Sequence, residues 1–517
     1  MTDQSRSITT RFGTDNLLLL GFALAKLVLH LVTNAFDTYG YFRDELYYIA
    51  CSNHLDFGYV DQPPFSIVLL KFSRMVLGDS LFALRFFPAI VGSATVFVTG
   101  LITRELGGKR FAQALAALAA VVSLANIASA SYYSMNCYDM LLWALAAYYA
   151  ARLINTSEPT YWLAIGLTLG LGLINKIGTS WFAFGLFVGF LLTSHRAWFK
   201  TRWPYLAGGI AFLLFLPYIV WNLTHDLAHL EFIRNATGDK YASLTWLSFV
   251  LGQIPLQNPV TLPLWLIGIV FFFTHRGTKF QPLVIAYLVA MLILIVNQHS
   301  KPEYLSSAYA ILFASGGVLV EALAERKKLR WLPQAFVILL LAGLVLVPFV
   351  LPVLTVEQYI RYSEWMGIKP STPEAKRLDK LPQFYADRFG WDTMAETVAR
   401  VYHRLSPDEQ ARCGIFAQNY GEAGAIDFFG KRYGLPGAAS GHNNYWLWGA
   451  NYLRGQNVWI VIGGRREDHL QSMETAEPVD TVRHPYAMPY ENNRVVYVCR
   501  TPRIPMEEIW KRTKNYN

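Results

Sequence analysis

Residues 41–66 read YFRDELYYIACSNHLDFGYVDQPPFS, a stretch that is acidic and aromatic and lies between two strongly apolar segments. Its carboxylates are Asp44, Glu45, Asp56 and Asp61. In a chain that is 53% hydrophobic, charged residues this close to an apolar segment carry a large desolvation cost. Charges near a bilayer mark function more often than charges on a soluble surface do. We therefore expect this stretch to contribute to a functional site.

The composition indicates a protein with many membrane spans. Soluble domains carry about 25% charged residues, whereas this 517-residue chain carries 16%. Apolar segments of about 20 residues, enough to cross about 30 Å of hydrocarbon as a helix, recur along the first two thirds. The eighth contains Pro255, Pro259 and Pro263, which predict a bent segment. We predict about eleven spans, at residues 17–36, 81–103, 111–130, 140–154, 161–175, 177–194, 205–223, 246–274, 282–296, 304–324 and 331–354.

The loops between these spans predict the orientation, because Lys and Arg concentrate in cytoplasmic loops. Alternate loops carry the basic residues Arg104, Lys109, Arg110, Arg152, Arg196, Lys200, Arg202, Arg276, Lys279, Arg326, Lys327, Lys328 and Arg330. The N-terminus is then cytoplasmic, and residues 41–66 lie outside the cytoplasm. This bias accounts for most of the net charge of +9, so no nucleic-acid partner is needed. The first span has no small-residue cleavage site, so we expect it to remain as a helix of the inner (cell) membrane.

We predict two domains, a membrane domain at residues 1–354 and an α/β domain at residues 355–517. An odd number of spans places the second domain outside the cytoplasm, in the periplasm of a bacterium. Within it, RCGIFAQNYGEAGAIDFFGKRYG (412–434) is typical of a strand, a turn and a helix that ends at Gly430 or Gly434. Further strands are predicted in NVWIVIGG (457–464) and RVVYVCR (494–500).

Two cysteines flank these strand candidates. Because Cys413 and Cys499 are predicted to lie in an oxidising compartment, a disulfide between them is compatible with the sequence. Two buried free thiols are equally compatible with it. The spacing of the residues leaves both interpretations open.

In the predicted topology, charged residues from separate parts of the chain lie on the outer face. They are Asp44 and Glu45 in the first loop, Lys71 and Arg74 three residues apart after it, Arg85 and Asp139 at the starts of later spans, and Lys176 and Lys301 between spans. Carboxylates next to cations suit a reaction that needs a base and a stabilised anionic leaving group.

Five stretches of the first two thirds are specific enough to compare with known families: YFRDELYYIACSNHLDFGYVDQPPFS, ALRFFPAIVG, SMNCYDMLLW, GLGLINKIGTSW and KPEYLSSAYAILF. Taken together, they resemble the protein O-mannosyltransferase superfamily, which includes the bacterial lipid A aminoarabinose transferases. The tail, with NYGEAGAIDFFG and NYWLWG, resembles the C-terminal domain of a further bacterial branch. The resemblance implies a GT-C fold, mainly α, with a sugar linked to a polyprenyl phosphate as the donor. It also implies inversion at the anomeric carbon and an acceptor hydroxyl outside the cytoplasm, on an envelope lipid, a glycan or a protein.

The resemblance assigns the catalytic carboxylates residue by residue. Asp44 corresponds to the general base on the acceptor hydroxyl, and Glu45 and Asp139 complete the catalytic set. Asp is also a preferred N-cap, so Asp44 and Asp139 as helix caps are the alternative.

The resemblance assigns Arg85 to the acidic pair or to the donor phosphate, and the growing charge of that phosphate favours further Lys and Arg residues. The candidates are Arg85, Lys176, Lys301, Lys71 and Arg74, of which the first and the last two could instead anchor helices at the membrane interface. One departure concerns Asp61-Gln62-Pro63-Pro64, because many relatives have Asp-Lys-Pro-Pro there. Gln62 cannot supply that charge, so we expect Lys71 or Lys301 to do so.

We assign the acceptor and sugar pocket to Asp61, Tyr47 and His225. Asp61 could equally shape the turn before the two prolines. His225 and His229 lie four residues apart with Glu231 nearby, a spacing that two metal ligands on a helix can have. We favour a polar loop near the acceptor and expect no resident cofactor, with a divalent metal as the minor alternative.

Two other functions compete with this interpretation. A secondary transporter would explain many spans, broken helices and charges near the membrane. However, the sequence has no internal repeat, and its charges concentrate on one face rather than at the midplane. A ligase or polymerase that takes a pyrophosphate-linked oligosaccharide would use the same GT-C fold and remains the second alternative.

Overall fold

The computed structural model describes residues 3–240, 243–372, 377–449 and 455–517. The chain divides into two compact units, which are described separately below. The helical unit comprises Met1–Asp37, Leu77–Val220 and Ser243–Val353, and the mixed unit comprises Thr38–Val76, Trp221–Ala242 and Leu354–Asn517.

Most of the described chain is α-helical. Its first helices are α1 (Asp3–Ala35), α2 (Arg43–Asn53), α3 (Phe65–Leu77), α4 (Leu81–Glu105), α5 (Arg110–Val122), α6 (Leu124–Ala130), α7 (Met135–Thr156), α8 (Tyr161–Leu173), α9 (Thr179–Leu192), α10 (Trp203–Thr224), α11 (Ala228–Asn235), α12 (Trp246–Leu256), α13 (Leu262–Phe271), α14 (Gln281–Asn297), α15 (Tyr309–Ala324) and α16 (Leu332–Ala342). The tail adds α17 (Val356–Met366), α18 (Gln383–Ala386), α19 (Trp391–Tyr402), α20 (Pro407–Ala411), α21 (Tyr420–Phe429), α22 (Asn444–Gly449), α23 (Arg466–Ser472) and α24 (Met506–Arg512).

Within the described residues, six helices are long and apolar enough to cross a membrane, and up to nine spans result if each of three bent helix pairs counts as one. The bent pairs are Arg110–Val122 with Leu124–Ala130, Thr179–Leu192 with Ser194–Lys200, and Trp246–Leu256 with Pro259–Phe271. The last pair bends by 98°, as the prolines in the eighth predicted span led us to expect. The predicted spans at 140–154 and 161–175 correspond to α7 and α8.

The core of the helical unit is aromatic and aliphatic. Trp143 of α7 stacks on Phe182 of α9 with ring centroids 4.6 Å apart. Tyr309 of α15 packs edge-on against Trp265 of α13 and against Tyr287 of α14. The contact of Trp143 packs α7, the helix that also carries Asp139, against α9.

The mixed unit contains a five-stranded sheet in the order β2-β1-β3-β5-β4. The strands are β1 (Cys413–Ala417), β2 (Ala438–Ser440), β3 (Val458–Ile462), β4 (Met473–Val482) and β5 (Arg494–Pro502). Strand β1 pairs in parallel with β2 and β3, while β5 runs antiparallel to β3 and β4. The helix α21 follows β1 directly, as predicted from residues 412–434.

The predicted fold class, mainly α with a small α/β tail, is confirmed. The strands predicted in residues 412–434, 457–464 and 494–500 are β1, β3 and β5. Strands β2 and β4 were not predicted, because β2 is Ala-Ala-Ser and β4 carries Glu, Pro and Asp residues that an edge strand tolerates. Cys413 and Cys499 are both buried and free, on strands that β3 separates.

Candidate active site

The acidic pair of the first loop lies in the first turn of α2. Arg43 is the first residue of that helix, and its N-cap is Phe42. The buried carboxylate of Glu45 accepts a hydrogen bond of 2.8 Å from the Phe42 N–H. Glu45 therefore pairs a backbone N–H at the start of the helix that has no partner within the helix. Asp44 does not occupy the N-cap position, and its carboxylate is therefore available for other contacts.

Asp44 is held through one of its two oxygens. Its Oδ1 accepts a 2.9 Å hydrogen bond from the hydroxyl of Tyr420 and a longer one of 3.4 Å from Nε of Arg43. Within the described part of the chain, Oδ2 has no hydrogen-bond partner. The side chain is 34% exposed. Asp44 therefore presents one fixed oxygen and one open oxygen, as a proton acceptor requires.

Arg43 is fixed by the tail. Its Nη1 donates to the hydroxyl of Tyr490 at 2.5 Å and lies 3.8 Å from Oδ2 of the buried Asp387. Burial would lower the pKa of Arg43, but the charge of Asp387 and the nearby hydroxyls raise it well above its usual value. Arg43 therefore stays cationic next to Asp44.

A second hydrogen-bonded group surrounds Tyr47, one turn after Asp44. The Tyr47 hydroxyl lies 2.9 Å from Oδ1 of Asp61 and 3.1 Å from Oδ1 of Asn444. The same Asn444 oxygen accepts a 2.7 Å bond from the Val60 N–H. Burial, followed by the charge of Asp61, raises the pKa of Tyr47 well above its usual range, so the phenol stays protonated.

The residues near Asp61 differ in how they are held. The side chain of Gln62 is buried, and neither atom of its amide has a partner among the described residues. Arg74 of α3 donates to the backbone oxygen of Ile49 at 3.1 Å and to Oδ1 of Asn53 at 2.8 Å, and also to Ser52, so it binds the C-terminal end of α2. Lys71, on the same helix, is half-buried.

His225 and His229 make separate backbone contacts. Nδ1 of His225 lies 2.8 Å from the backbone oxygen of Trp221, and the two rings stack 4.2 Å apart. Nδ1 of His229 lies 2.9 Å from the backbone oxygen of Val60. Burial lowers the pKa of His229 to about 4, so its ring is neutral near pH 7. Across the described residues, no group of three His, Cys, Asp or Glu side chains could hold a metal ion.

In the helical unit, Asp139 and Lys176 belong to one polar group. The buried Asp139 accepts hydrogen bonds from Thr179 Oγ1 at 3.0 Å and from Ser307 Oγ at 2.8 Å. Lys176 Nζ donates to Asn136 Oδ1 at 2.8 Å. The N-cap of α7 is Ser134, so Asp139 does not cap its helix.

The cations of the helical unit that we predicted to meet the donor phosphate lie in different surroundings. Arg85 is fully buried in an ion pair with the equally buried Asp37, the residue that follows α1 and its terminal turn. Lys176 also lies over the ring of Tyr304, with Nζ 4.6 Å from its centroid. Lys301 is half-buried, directly before a 3-10 turn that begins at Pro302.

Within the mixed unit, the structure thus brings together Asp44, Tyr47 and Asp61 through tail residues, while His225 lies in the Trp221 stack. Within the helical unit it joins Asp139 with the loop of Lys176. The sequence analysis missed Asp37, Asp387, Tyr420, Asn444 and Tyr490. Two of the five lie in NYGEAGAIDFFG and NYWLWG, the tail stretches that it quoted without giving them a role in the site.

Comparisons with known proteins agree with this architecture. Residues 61–221 match the family described as dolichyl-phosphate-mannose-protein mannosyltransferase. The crystal structure of ArnT from Cupriavidus metallidurans in the apo state superposes with a TM-score of 0.59 at 12% identity, covering 93% of this chain and 97% of that one. The same protein bound to undecaprenyl phosphate gives a TM-score of 0.56 at 13% identity, with the same coverage. The chain therefore has the GT-C fold of membrane enzymes, and it is a multi-pass membrane protein.

One curated relative is similar in sequence over part of its length. It is the lipid A galacturonosyltransferase RgtD of Rhizobium johnstonii, 25% identical over 214 residues. The alignment covers 41% of this chain and 43% of that protein, so the chain spans less than half the length of the relative that it matches.

Proposed function

We propose that this chain is an inverting glycosyltransferase that moves a sugar from a polyprenyl-phosphate-linked donor to a hydroxyl group outside the cytoplasm. The GT-C fold, the family match at residues 61–221 and the sugar transferases among its relatives support the reaction class. The observation that carries the assignment is the half-buried carboxylate of Asp44, held through Oδ1 and open at Oδ2.

In this mechanism Asp44 acts as the general base. The proton of the acceptor hydroxyl passes to Oδ2 while the acceptor oxygen forms a bond to the anomeric carbon. The bond from that carbon to the phosphate oxygen breaks on the opposite face, and its electron pair leaves with the polyprenyl phosphate. The product is an inverted glycoside, and the developing phosphate charge needs a cation nearby.

We assign the role of this cation to Lys176 and Lys301 first. Among the described residues, one amide oxygen and one aromatic face hold Lys176, which leaves donors of its ammonium group available. Lys71 follows. Arg74 and Arg85 rank after it, because backbone and carboxylate groups already bind them. Asp139 then orients the loop of Lys176, and the Tyr47 and Asp61 group shapes the acceptor side together with His225.

We propose the orientation predicted from the loops, with a cytoplasmic N-terminus and residues 355–517 in the periplasm. The acceptor is then a hydroxyl of an envelope lipid, a glycan or an exported protein. Lipid A is a natural first choice to test, because a relative is named as a lipid A galacturonosyltransferase. An alkaline phosphatase fusion at the C-terminus should be active, and a cytoplasmic tail would leave it inactive.

The test is Asp44→Asn in the purified, full-length protein reconstituted in proteoliposomes. Mass spectrometry follows transfer from polyprenyl-phosphate sugars to envelope lipids, with polyprenyl-pyrophosphate oligosaccharides supplied in parallel. Loss of a general base should lower kcat by about 10²–10⁴-fold, with the melting temperature unchanged. Asp408→Asn, the same change at an exposed carboxylate of α20, is the matched control.

The possible outcomes separate the competing functions. Full activity of the Asp44→Asn variant contradicts the assignment of the base. Use of the pyrophosphate donor alone identifies a ligase or polymerase. Vesicle uptake of a solute with no sugar transfer identifies a transporter.

A further inference from the structure

Asp44 receives its closest hydrogen bond from a residue 376 positions away in the sequence. The hydroxyl of Tyr420, at the start of α21, donates to Oδ1 at 2.9 Å. The Arg43 guanidinium also reaches Oδ1, and it lies 5.6 Å from the centre of the Tyr420 ring. The tail thus binds one oxygen of the carboxylate and leaves the other oxygen open.

Tyr420 is itself immobilised on several sides. Its side chain is buried at 7% exposure, and its ring stacks on Tyr47 with centroids 4.6 Å apart. The ring of His442 lies at the same centroid distance. Asn419 caps the helix by accepting bonds of 2.9 and 3.0 Å from the N–H groups of Gly421 and Glu422. The hydroxyl therefore has a fixed position before any substrate binds.

Two glycines allow α21 to approach α2 closely enough for this bond. A Cβ added to Gly421 would lie 2.5 Å from Cγ of Arg43. A Cβ added to Gly424 would lie 2.9 Å from the backbone carbon of Leu46. The stretch NYGEAG therefore combines a helix cap, a tyrosine and two contact glycines. Together they place the Tyr420 hydroxyl within hydrogen-bond distance of Asp44.

We propose that Tyr420 is a positioning residue for the base, through which the tail takes part in the reaction. This inference rests on the proposed function of Asp44. By binding Oδ1, Tyr420 fixes the rotation of the carboxylate and makes Oδ2 the oxygen that receives the acceptor proton. Preorganisation of this kind raises kcat, because a base that is turned away from the hydroxyl is unproductive.

The test is Tyr420→Phe in the full-length protein, with Tyr486→Phe as the matched control. Tyr486 also lies in the mixed unit, and its hydroxyl also donates to a carboxylate at 2.9 Å, that of Glu357. Both variants lose one hydroxyl and one hydrogen bond of equal length. Only the first loses a contact of Asp44.

We expect Tyr420→Phe to lower kcat about 10-fold to 100-fold, as the loss of a hydrogen bond to a charged group does, while the KM for the polyprenyl-phosphate sugar changes less than about twofold. Tyr486→Phe should leave both constants unchanged. We calculate kcat per donor-binding site and compare melting temperatures. A fraction of unfolded protein therefore cannot lower kcat while KM stays nearly unchanged. A purely structural role would lower the number of sites and leave kcat per site intact.

The outcomes distinguish this inference from the proposed function. If Asp44→Asn is inactive and Tyr420→Phe retains the kcat of Tyr486→Phe, Asp44 remains the base and the positioning role is refuted. If Asp44→Asn keeps full activity, the proposed function fails and the inference fails with it. A Tyr420→Phe variant with raised KM and normal kcat would assign Tyr420 to substrate binding instead, and would overturn the inference.

Discussion

Gly424 permits a close contact between two helices, and replacing it with alanine should impair sugar transfer. The added Cβ would lie 2.9 Å from the backbone carbon of Leu46 and 3.0 Å from its Cβ and its oxygen. Carbon atoms in contact normally stay about 3.5–4.0 Å apart. Because backbone atoms are among those contacted, a rotation of one side chain cannot remove the clash. The helix α21 must instead move away from α2, by about 0.5–1 Å.

Two effects of the Gly424→Ala substitution oppose each other. Alanine stabilises a helix interior by up to about 1 kcal/mol relative to glycine. Overpacking at a tight contact costs about 1–3 kcal/mol, so the net loss lies between about 0 and 2 kcal/mol, and we expect roughly 1 kcal/mol. The larger consequence is geometric, because Gly424 lies one turn after Tyr420. A shift of this size would stretch the 2.9 Å bond to Asp44 beyond the range of a good hydrogen bond.

The assay compares Gly424→Ala with Gly209→Ala in the same purified, full-length protein. Gly209 is also helical, but a Cβ added there meets no atom within 4 Å. Gly209→Ala should keep its activity and its melting temperature or raise the latter slightly. Gly424→Ala should melt a few degrees lower and transfer sugar at least about tenfold more slowly, as a lost hydrogen bond to a carboxylate predicts. Equal activity and stability of the two variants would refute the claim that this close contact positions Asp44.

Two further predictions concern buried charges. Burial, followed by the charge of Glu422, raises the pKa of Glu491 well above its usual value, so the protonated form stabilises the fold and this stability is lost as the pH rises above the unfolded value of about 4.3. The free energy of unfolding can fall by at most about 1.4 kcal/mol per pH unit for one such group. Glu491→Gln imitates the protonated acid, so the melting temperature of this variant should fall less steeply with rising pH. An unchanged slope would contradict this. Arg85→Met, which removes the cation of the buried ion pair with Asp37, should cost about 3–5 kcal/mol of stability. Adding Asp37→Leu should restore most of the melting temperature, whereas a double variant no more stable than the single one would show that the ion pair is not the cause.

The sequence predicted the elements with strong patterns. Apolar segments predicted the helices of the membrane domain, and the three prolines predicted the 98° bend between Trp246–Leu256 and Pro259–Phe271. Continuous apolar runs predicted the central strands β1, β3 and β5. The edge strand β4 was not predicted, because its composition is polar. A strand that pairs on one side only, as β4 does with β5, can carry such polar residues.

The acidic pair was recognised in the sequence, but the groups that hold it were not. Glu45 has its role through a local contact with Phe42, three residues away, and such contacts can be deduced from helix capping. Tyr420, which donates to Asp44, and Asn444, which accepts from Tyr47, lie 376 and 397 positions away from them in the sequence. No periodicity or spacing in one sequence relates such distant residues, so a tyrosine and an asparagine in the tail were not assigned to the site.

The buried acid pair of the tail supports the same site from further away. Oε1 of Glu491 accepts a 2.9 Å hydrogen bond from Nδ2 of Asn419, the residue that caps α21. Glu422 accepts a 2.7 Å bond from the Gln418 N–H at the same helix end. The contacts therefore run in series, from Glu491 to the cap and from the cap to Tyr420. The effect of a residue on a reacting group decreases with each contact that separates the two. Tyr420 contacts Asp44 directly, so changes at Tyr420 should act mainly on kcat. Glu491 acts only through the cap, so changes there should act mainly on stability.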